Sequence, residues 1–347
     1  MPGSIHGGDV YSQKINTDYS VSVNPLGTPK SVLDAISGAV KNINRYPDYN
    51  NTKTLDALSE YHGINKDNII LGNGSSELFM AVARAFESKK VLLPIPSFSG
   101  YRYALDSYEN SIEYIDMLFE EDRIIPDEKI LALIKDADMF ILGNPNNPTG
   151  KLIYKDLLKK IADECEEKDT IFVLDECFID FCEGGNSLIN EFENYKNLLI
   201  IRSFTKNYAI PGVRVGYLVC SDKEKIKKIK KQIPEWNISS FASEAAVACC
   251  REKDFLKDTL EYTKSERERL KKELENLGIK VYESDSNFML LKADEKLAEG
   301  LLKKNILIRN CSNFKGLTNE HYRIAIKSRE EDDCLIEAIK GLRAKDE

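Results

Sequence analysis

Short apolar runs alternate with longer amphipathic segments along the first two thirds of the chain, and this alternation limits the fold more than any other feature. Segments such as 75–86 and 152–168 carry apolar residues at helical spacing. Strands that alternate with helices form a mainly parallel sheet covered on both faces, so the sequence predicts an α/β fold. The strand-like runs lie at residues 68–71, 91–94, 139–142, 171–174, 198–201 and 216–219.

The pattern changes after about residue 230. A long charged helix is expected over 253–277 and a final helix over 330–345. We interpret this part as a smaller α+β C-terminal domain. The predicted organisation is a short N-terminal segment at 1–29, a large domain at 30–230 and a small domain at 231–347. Short strands are expected in the small domain around 280–282, 288–291, 307–309 and 322–326.

Charge and hydropathy argue against several kinds of partner. The 347 residues carry a net charge of −8, and no basic face outweighs the acids, so nucleic acid is not expected. The lysine-rich run 223–231 is expected to be the solvated face of a helix. No stretch of about 18 apolar residues predicts a membrane span, and no signal-peptide pattern is visible. We therefore expect a cytoplasmic protein.

The cysteines and histidines predict neither disulfides nor a metal site. The eight cysteines show no Cys-x-x-Cys spacing, so we expect them to be reduced and packed. The chain has three histidines, too few for a His-rich metal site.

One lysine lies in a setting that suits covalent chemistry. Residues 202–216 read Arg-Ser-Phe-Thr-Lys-Asn-Tyr-Ala-Ile-Pro-Gly-Val-Arg-Val-Gly, which surrounds Lys206 with hydroxyl groups and places Arg214 eight positions later. Such a lysine could form a Schiff base with a phosphorylated aldehyde, with Ser203, Thr205 and Arg214 holding the phosphate. The aldehyde would be pyridoxal 5'-phosphate.

Two upstream segments strengthen this interpretation. The turn cluster Leu-Gly-Asn-Pro-Asn-Asn-Pro-Thr-Gly at 142–150 follows a strand-like run, and Asp175 closes the next one. Open α/β sheets bind ligands at the carboxyl ends of their strands. A carboxylate opposite a pyridine nitrogen keeps it protonated, so the ring can accept electrons. The alternative for Asp175 is a helix cap or a surface acid.

The series Asn147, Asp175, Lys206 and Arg214 resembles the fold-type I pyridoxal-phosphate enzymes of the class I/II aminotransferase group. The resemblance runs through essentially the whole chain and implies a mainly parallel seven-stranded sheet in the large domain. It implies that Asn147 hydrogen-bonds the 3-oxygen of the cofactor and that Asp175 pairs with the ring nitrogen. Lys206 would be both the covalent attachment point and the proton shuttle.

The same resemblance implies further contacts. Phe98 matches an aromatic residue that stacks on the cofactor ring, and Tyr46 matches a tyrosine that reaches the phosphate in the partner subunit of a homodimer. The N-terminal segment would be an arm that joins the small domain and covers the active site. The phosphate loop at a helix start, where backbone amides favour an anion, would consist of Gly74, Ser75 and Ser76.

Two arginines fourteen positions apart, Arg309 and Arg323, each stand at a predicted strand end and could converge on a doubly anionic substrate. Arg323 resembles the arginine that binds the α-carboxylate throughout the group. The alternative for either residue is a surface salt bridge.

Together with the N-terminal segments 5–9 and 19–27, the arginines resemble the L-threonine-O-3-phosphate decarboxylase family of cobamide biosynthesis. That family forms (R)-1-amino-2-propanol O-phosphate and carbon dioxide. Phe178 agrees with this subgroup, whereas Cys177 stands where alanine is usual. The resemblance puts Asn24 and Arg323 on the carboxylate side of the substrate, and His6 and Arg309 at its phosphate. The implied substrate contacts are His6, Gly7, Gly8, Asn24, Asn147, Arg309 and Arg323.

Other functions stay open at this point. An aminotransferase, for example one acting on histidinol phosphate, shares the cofactor residues, and the outcome depends on which Cα bond is aligned for cleavage. A decarboxylase of serine phosphate or phosphonoalanine would differ from a threonine-phosphate decarboxylase only in its substrate. A non-catalytic pyridoxal-phosphate-binding regulator is a third alternative.

Overall fold

The computed structural model describes residues 7–12, 14–117, 127–184 and 186–343. Within these ranges the strands are β1 (Thr17–Asp18), β2 (Ile69–Gly72), β3 (Lys90–Ile95), β4 (Ser111–Asp116), β5 (Met139–Gly143), β6 (Ile171–Asp175), β7 (Leu198–Ser203), β8 (Gly216–Val219), β9 (Lys280–Val281), β10 (Phe288–Lys292), β11 (Ile306–Leu307), β12 (Arg309–Asn310) and β13 (His321–Ala325). The helices are α1 (Lys30–Ala39), α2 (Thr52–His62), α3 (Ser75–Phe86), α4 (Ser99–Leu105), α5 (Asp127–Ile134), α6 (Lys155–Glu167), α7 (Phe204–Asn207), α8 (Lys223–Lys230), α9 (Ser240–Cys249), α10 (Lys253–Asn276), α11 (Leu297–Leu302) and α12 (Arg329–Arg343).

A seven-stranded sheet forms the centre of the molecule, in the order β2-β8-β7-β6-β5-β3-β4. β8 runs antiparallel to both of its neighbours, and the other pairings are parallel. Strands such as β5 and β7 are buried along their whole length, as expected when helices cover both faces. One face packs against α3, α4 and α8, and the other against α2, α5, α6 and α9. The predicted mainly parallel seven-stranded sheet is confirmed.

The six strand-like runs of the sequence coincide with central strands to within about one or two residues. β4 was not predicted, because its sequence, Ser-Ile-Glu-Tyr-Ile-Asp, is that of a half-exposed edge strand. α6 begins at Lys155 rather than at 152, since Leu152 and Ile153 are buried in the segment that precedes it. The expected strand at 307–309 is divided into β11 and β12.

A four-stranded antiparallel sheet, β12-β13-β10-β9, forms the core of the smaller C-terminal domain. Residues of α10 and α12 pack against it in a separate apolar cluster. The N-terminal segment enters this cluster through Tyr19, which is fully buried, and β1 pairs with β11 in parallel. The expected helix at 253–277 is α10, and the expected helix at 330–345 is α12, whose last two expected residues lie outside the described ranges.

Helix surfaces agree with the charge pattern of the sequence. α8 buries Ile226 and Ile229 and leaves most of its lysines exposed, as predicted for the run 223–231. None of the helices in the described part of the chain combines the length and the apolar character required to cross a membrane.

None of the eight cysteines forms a disulfide, and six of them are buried. The expectation that all are packed is wrong for Cys334, which is exposed because it lies on the solvent face of α12.

Candidate active site

The carboxyl ends of three neighbouring parallel strands, β5, β6 and β7, meet at one edge of the central sheet. Gly143, Asp175 and Ser203 are the last residues of these strands. The loops that follow them line a cavity of about 370 Å³. Its lining includes these residues that the sequence had singled out: Gly7, Ser75, Ser76, Phe98, Asn147, Asp175, Ser203, Thr205, Lys206, Arg309 and Arg323.

One end of the cavity can hold an anion. α3 starts here, and Gly74 precedes it with a φ of 76°, a conformation that favours glycine. A side chain at Gly74 would occupy the space of the Arg214 guanidinium, so arginine and helix start are in direct contact. Ser203 Oγ and Thr205 Oγ1 lie 2.7 Å apart beside them. A helix N-terminus with an arginine and two hydroxyl groups suits a phosphate.

Asp175 is held by two donors at the floor of the cavity. Its Oδ1 accepts the backbone N–H of Cys177 at 2.9 Å, and its Oδ2 accepts the hydroxyl of Tyr101 at 2.6 Å. Burial raises the pKa of Asp175, whereas the hydrogen bonds from Cys177 and Tyr101 act in the opposite direction. Sequence reasoning missed Tyr101, because its sequence distance from Asp175 hides the contact.

Lys206 lies on the short helix α7, whose start is capped by Ser203 accepting the N–H of Thr205. Burial, followed by the positive charge of Arg323, lowers the pKa of Lys206 to about 8. A larger fraction of the side chain is therefore the neutral, nucleophilic amine near neutral pH than for a solvated lysine.

Two arginines, Arg309 and Arg323, also line the cavity. Arg323 Nη1 donates to Asn147 Oδ1 at 2.7 Å, and Nη2 donates to the carbonyl of Ser20 at 2.6 Å. The buried Nε of Arg323 has no hydrogen-bond partner among the described residues. Burial lowers the pKa of Arg323 to about 10, and burial also lowers that of Arg309. Such donors suit anionic groups of a ligand.

Asn24, a predicted substrate contact, lies outside the cavity lining. Asn24 is buried, and its amide donates to the carbonyl of Asn207 and to Thr259 Oγ1, both at 2.7 Å. The backbone N–H of Asn24 also donates to the carbonyl of Lys206. These bonds fasten the N-terminal segment to the lysine-bearing helix and to α10. The predicted contact of Asn24 with a substrate carboxylate stays a prediction.

The glycines of the N-terminal segment lie beside the cavity. Gly7 lines it, and a side chain there would collide with the backbone of Ser20. Gly8 donates its N–H to Ser20 Oγ at 2.8 Å. His6 lies outside the described residues. Ser20, Val21 and Ser22, which were not predicted individually, also line the cavity.

Tyr46 lies on the surface rather than in the cavity of its own chain. Its side chain is 81% exposed, and its ring packs against Trp236 with 5.1 Å between centroids. Phe178 lines the cavity and packs against Phe288 at 5.0 Å.

A half-buried lysine, a carboxylate at a strand end and a helix start suited to an anion, on a seven-stranded α/β sheet, fit a site of the pyridoxal-phosphate type. Residues 15–339 match the family described as Aminotransferase class I and II, and the chain belongs to this family.

Relatives with two different activities are similar to the chain over nearly its full length. Threonine-phosphate decarboxylase of Salmonella typhimurium is 32% identical, over 98% of this chain and 96% of that protein. Histidinol-phosphate aminotransferase 2 of Archaeoglobus fulgidus is 35% identical, over 96% of this chain and 94% of that protein. The crystal structure of histidinol-phosphate aminotransferase from Clostridium acetobutylicum has a TM-score of 0.89 and 36% identity, covering 95% of this chain and 99% of that one.

Proposed function

We propose that the protein binds pyridoxal 5'-phosphate and decarboxylates L-threonine O-3-phosphate to (R)-1-amino-2-propanol O-phosphate and carbon dioxide. The observation that carries the proposal is the arginine pair, Arg309 and Arg323, which lines the same cavity as Lys206 and Asp175. A phosphorylated amino acid has two anionic groups and therefore suits two buried cations. The decarboxylase of Salmonella typhimurium, 32% identical to this chain, supports this substrate class.

The residues present fit the cofactor. The cradle of Gly74, Ser75, Ser76, Ser203, Thr205 and Arg214 would hold its phosphate, and Asp175 would hold the proton of its ring nitrogen. Asn147 and Phe98 also line the cavity and would contact the ring. Lys206 would carry the covalent attachment. When bound, the cofactor takes up the electron pair released as a bond at the substrate Cα breaks.

The side chains around the substrate then decide which bond breaks. Arg323, fixed by Asn147 and Ser20, would bind the carboxylate and hold its bond to Cα perpendicular to the cofactor ring. Arg309 would bind the substrate phosphate. Carbon dioxide would leave, and the protonated Lys206 amine, or a water, would deliver a proton to Cα. Both changes together convert the amino acid into the amino alcohol phosphate.

A second candidate is an aminotransferase acting on histidinol phosphate. The 35% identical relative from Archaeoglobus fulgidus and the structural similarity to the Clostridium acetobutylicum enzyme favour it. The same cavity serves this reaction if the Cα–H bond, rather than the Cα–carboxylate bond, is aligned. Decarboxylation of serine phosphate or phosphonoalanine needs no other residue either. Serine phosphate differs from threonine phosphate by one methyl group, which is worth only about 1–3 kcal/mol in discrimination.

We also propose a homodimer in which Tyr46 reaches the cofactor phosphate of the partner subunit. The support is a cluster of exposed apolar side chains around Tyr46, which we name the Tyr46 patch. Isolated exposed apolar residues are ordinary, but a contiguous group indicates an interaction surface. The patch consists of Tyr46, 81% exposed, Tyr49, 55% exposed, and Trp236, 44% exposed, and both tyrosine rings pack against the Trp236 ring.

For the domain organisation we propose an arm at residues 1–29, a large domain at 30–230 and a small domain at 231–347. The pairing of β1 with β11 supports attachment of the arm to the small domain. Ser20, Val21 and Ser22 of the arm line the cavity, which supports a covering role.

Because the cysteines of the protein are unpaired, we propose that it resides in a reducing compartment such as the cytoplasm.

Product analysis tests the proposed reaction. The cofactor-loaded protein is given L-threonine O-3-phosphate without any keto acid, and the expected products are carbon dioxide and aminopropanol phosphate in equal amounts. Lys206→Ala serves as the inactive control. An aminated cofactor after exposure to histidinol phosphate or glutamate, without carbon dioxide from threonine phosphate, would support the aminotransferase instead.

A further inference from the structure

Tyr101 forms a hydrogen bond with the carboxylate at the floor of the site. Its hydroxyl donates to Asp175 Oδ2 at 2.6 Å, although 74 positions separate the two residues. The other carboxylate oxygen accepts the N–H of Cys177. Both oxygens of Asp175 therefore have a fixed donor within one chain, which sets the plane of the carboxylate.

The surroundings of Tyr101 hold its hydroxyl in this place. The side chain is 1% exposed, and its ring lies between Phe79, at 5.1 Å, and Phe98, at 5.5 Å between centroids. Gly143 is paired with Asp175 across the parallel strands β5 and β6. A Cβ atom at Gly143 would lie 3.0 Å from the Tyr101 hydroxyl, so only a residue without a side chain leaves comfortable room there.

We propose that Tyr101 is a positioning residue, which acts through Asp175 to hold that carboxylate ionised and aimed at the ring nitrogen of the cofactor. The inference rests on the proposed binding of pyridoxal phosphate but not on the reaction that follows. It also assigns a role to Gly143, whose missing side chain makes room for the hydroxyl.

The physical basis is the cost of a buried charge. Asp175 is largely removed from water, which favours its neutral form, and donors to the ionised form counteract this. The groups that face it are the Tyr101 hydroxyl from α4 and the Cys177 thiol and amide from its own loop. Lys206 on α7 and Ser75 on α3 act on the same thiol. Removing the hydroxyl should leave one oxygen of Asp175 without its donor while the ring of Tyr101 still fills its space.

The test compares Tyr101→Phe with wild type, without substrate. The dissociation constant of pyridoxal phosphate is measured by its visible absorption as a function of pH. Loss of a hydrogen bond to a charged group raises a dissociation constant by about tenfold. We expect the variant to bind the cofactor about tenfold more weakly than wild type. As the pH is lowered, the variant should lose the cofactor at a pH about one unit higher than wild type does. Tyr108→Phe removes a tyrosine hydroxyl from the same region, near Ser88, and should change neither quantity.

A double-mutant comparison separates positioning from general loosening of the fold. In the Asp175→Asn background, Tyr101→Phe should have little additional effect on cofactor affinity or on its pH dependence. Full additivity, or a Tyr101→Phe variant indistinguishable from wild type, would overturn the inference while leaving the proposed function intact. A wild-type protein that binds no pyridoxal phosphate would overturn the proposed function and this inference with it.

Discussion

Arg309 and Arg323 are direct partners across the antiparallel pairing of β12 and β13. Their side chains line the same cavity, and the charge of Arg309 contributes to the lowered pKa of Arg323. Two buried cations that disfavour each other are stabilised when anionic groups bind between them. This pairing supports the proposal that a doubly anionic substrate suits the site better than a simple amino acid.

The two arginines should have separable effects on substrate choice. Arg309→Gln is expected to reduce kcat/KM for threonine phosphate by at least about tenfold, because a charge-assisted bond to the phosphate is lost. It should change activity on unphosphorylated threonine much less. Arg323→Gln should reduce kcat/KM for both substrates. Steady-state kinetics on the two amino acids measure these effects, and Arg84→Gln, at an exposed position, serves as the control. Equal effects of both variants on both substrates would contradict the assignments.

Uptake of the cofactor should depend on the protonation of Lys206. Since the neutral amine attacks the aldehyde, the uptake rate by cofactor-free protein should rise as pH increases through about 8 and then level off. Arg323→Gln removes a nearby positive charge, so the pKa of Lys206 should rise and the midpoint should move to higher pH. Rapid-mixing absorption measurements check both effects. A rate independent of pH between about 7 and 9 would be inconsistent with an unprotonated Lys206 as the attacking group.

These expectations use residues that the sequence identified, and the reason is topological. Asp175 ends β6, and Asn147 and Lys206 follow the adjacent strands β5 and β7, so the carboxyl edge of the sheet brings them together whatever the details of the loops. Tyr101 could not be assigned in this way, because its contact with Asp175 depends on how α4 packs over Gly143. Asn24 likewise shows bonds to Lys206, Asn207 and Thr259 that no local pattern encodes. Tyr46 is exposed in a single chain, so its proposed role depends on a second copy.

Complementation between inactive variants tests the proposed dimer. In the proposed dimer, Lys206→Ala and Tyr46→Phe are each expected to impair the sites of their own homodimers. In a mixed dimer, the subunit carrying Tyr46→Phe retains Lys206 and receives an intact Tyr46 from its partner, so one site is complete. Mixing the two after gentle dissociation should restore activity above that of either variant. No recovery, together with sedimentation at the chain mass of 39.4 kDa, would contradict the shared site.

Stability should depend on pH through Asp332, a fully buried carboxyl group in α12. Burial raises its pKa to about 7, and the hydroxyl of Tyr19, the N–H of Lys327, Glu266 and Arg269 face it. The folded state thus binds a proton that the unfolded state releases near pH 4. The free energy of unfolding should fall as pH rises from about 4 to about 7, by up to about 4 kcal/mol.

Asp332→Asn should remove this dependence of the free energy of unfolding on pH, whereas Glu330→Gln, at an exposed neighbouring position, should retain it. Urea unfolding at a series of pH values measures the effect. Identical slopes in Asp332→Asn and wild type would mean that Asp332 titrates normally in the folded protein.

The number of turnovers without an amino acceptor tests the proposed reaction most directly. Cofactor-loaded protein is mixed with a large excess of L-threonine O-3-phosphate in the absence of keto acid, and carbon dioxide is counted per active site. A decarboxylase regenerates its cofactor, so many molecules of carbon dioxide per site are predicted. Conversion of the cofactor to its amine form after one event per site, without carbon dioxide, would contradict decarboxylation and identify an aminotransferase.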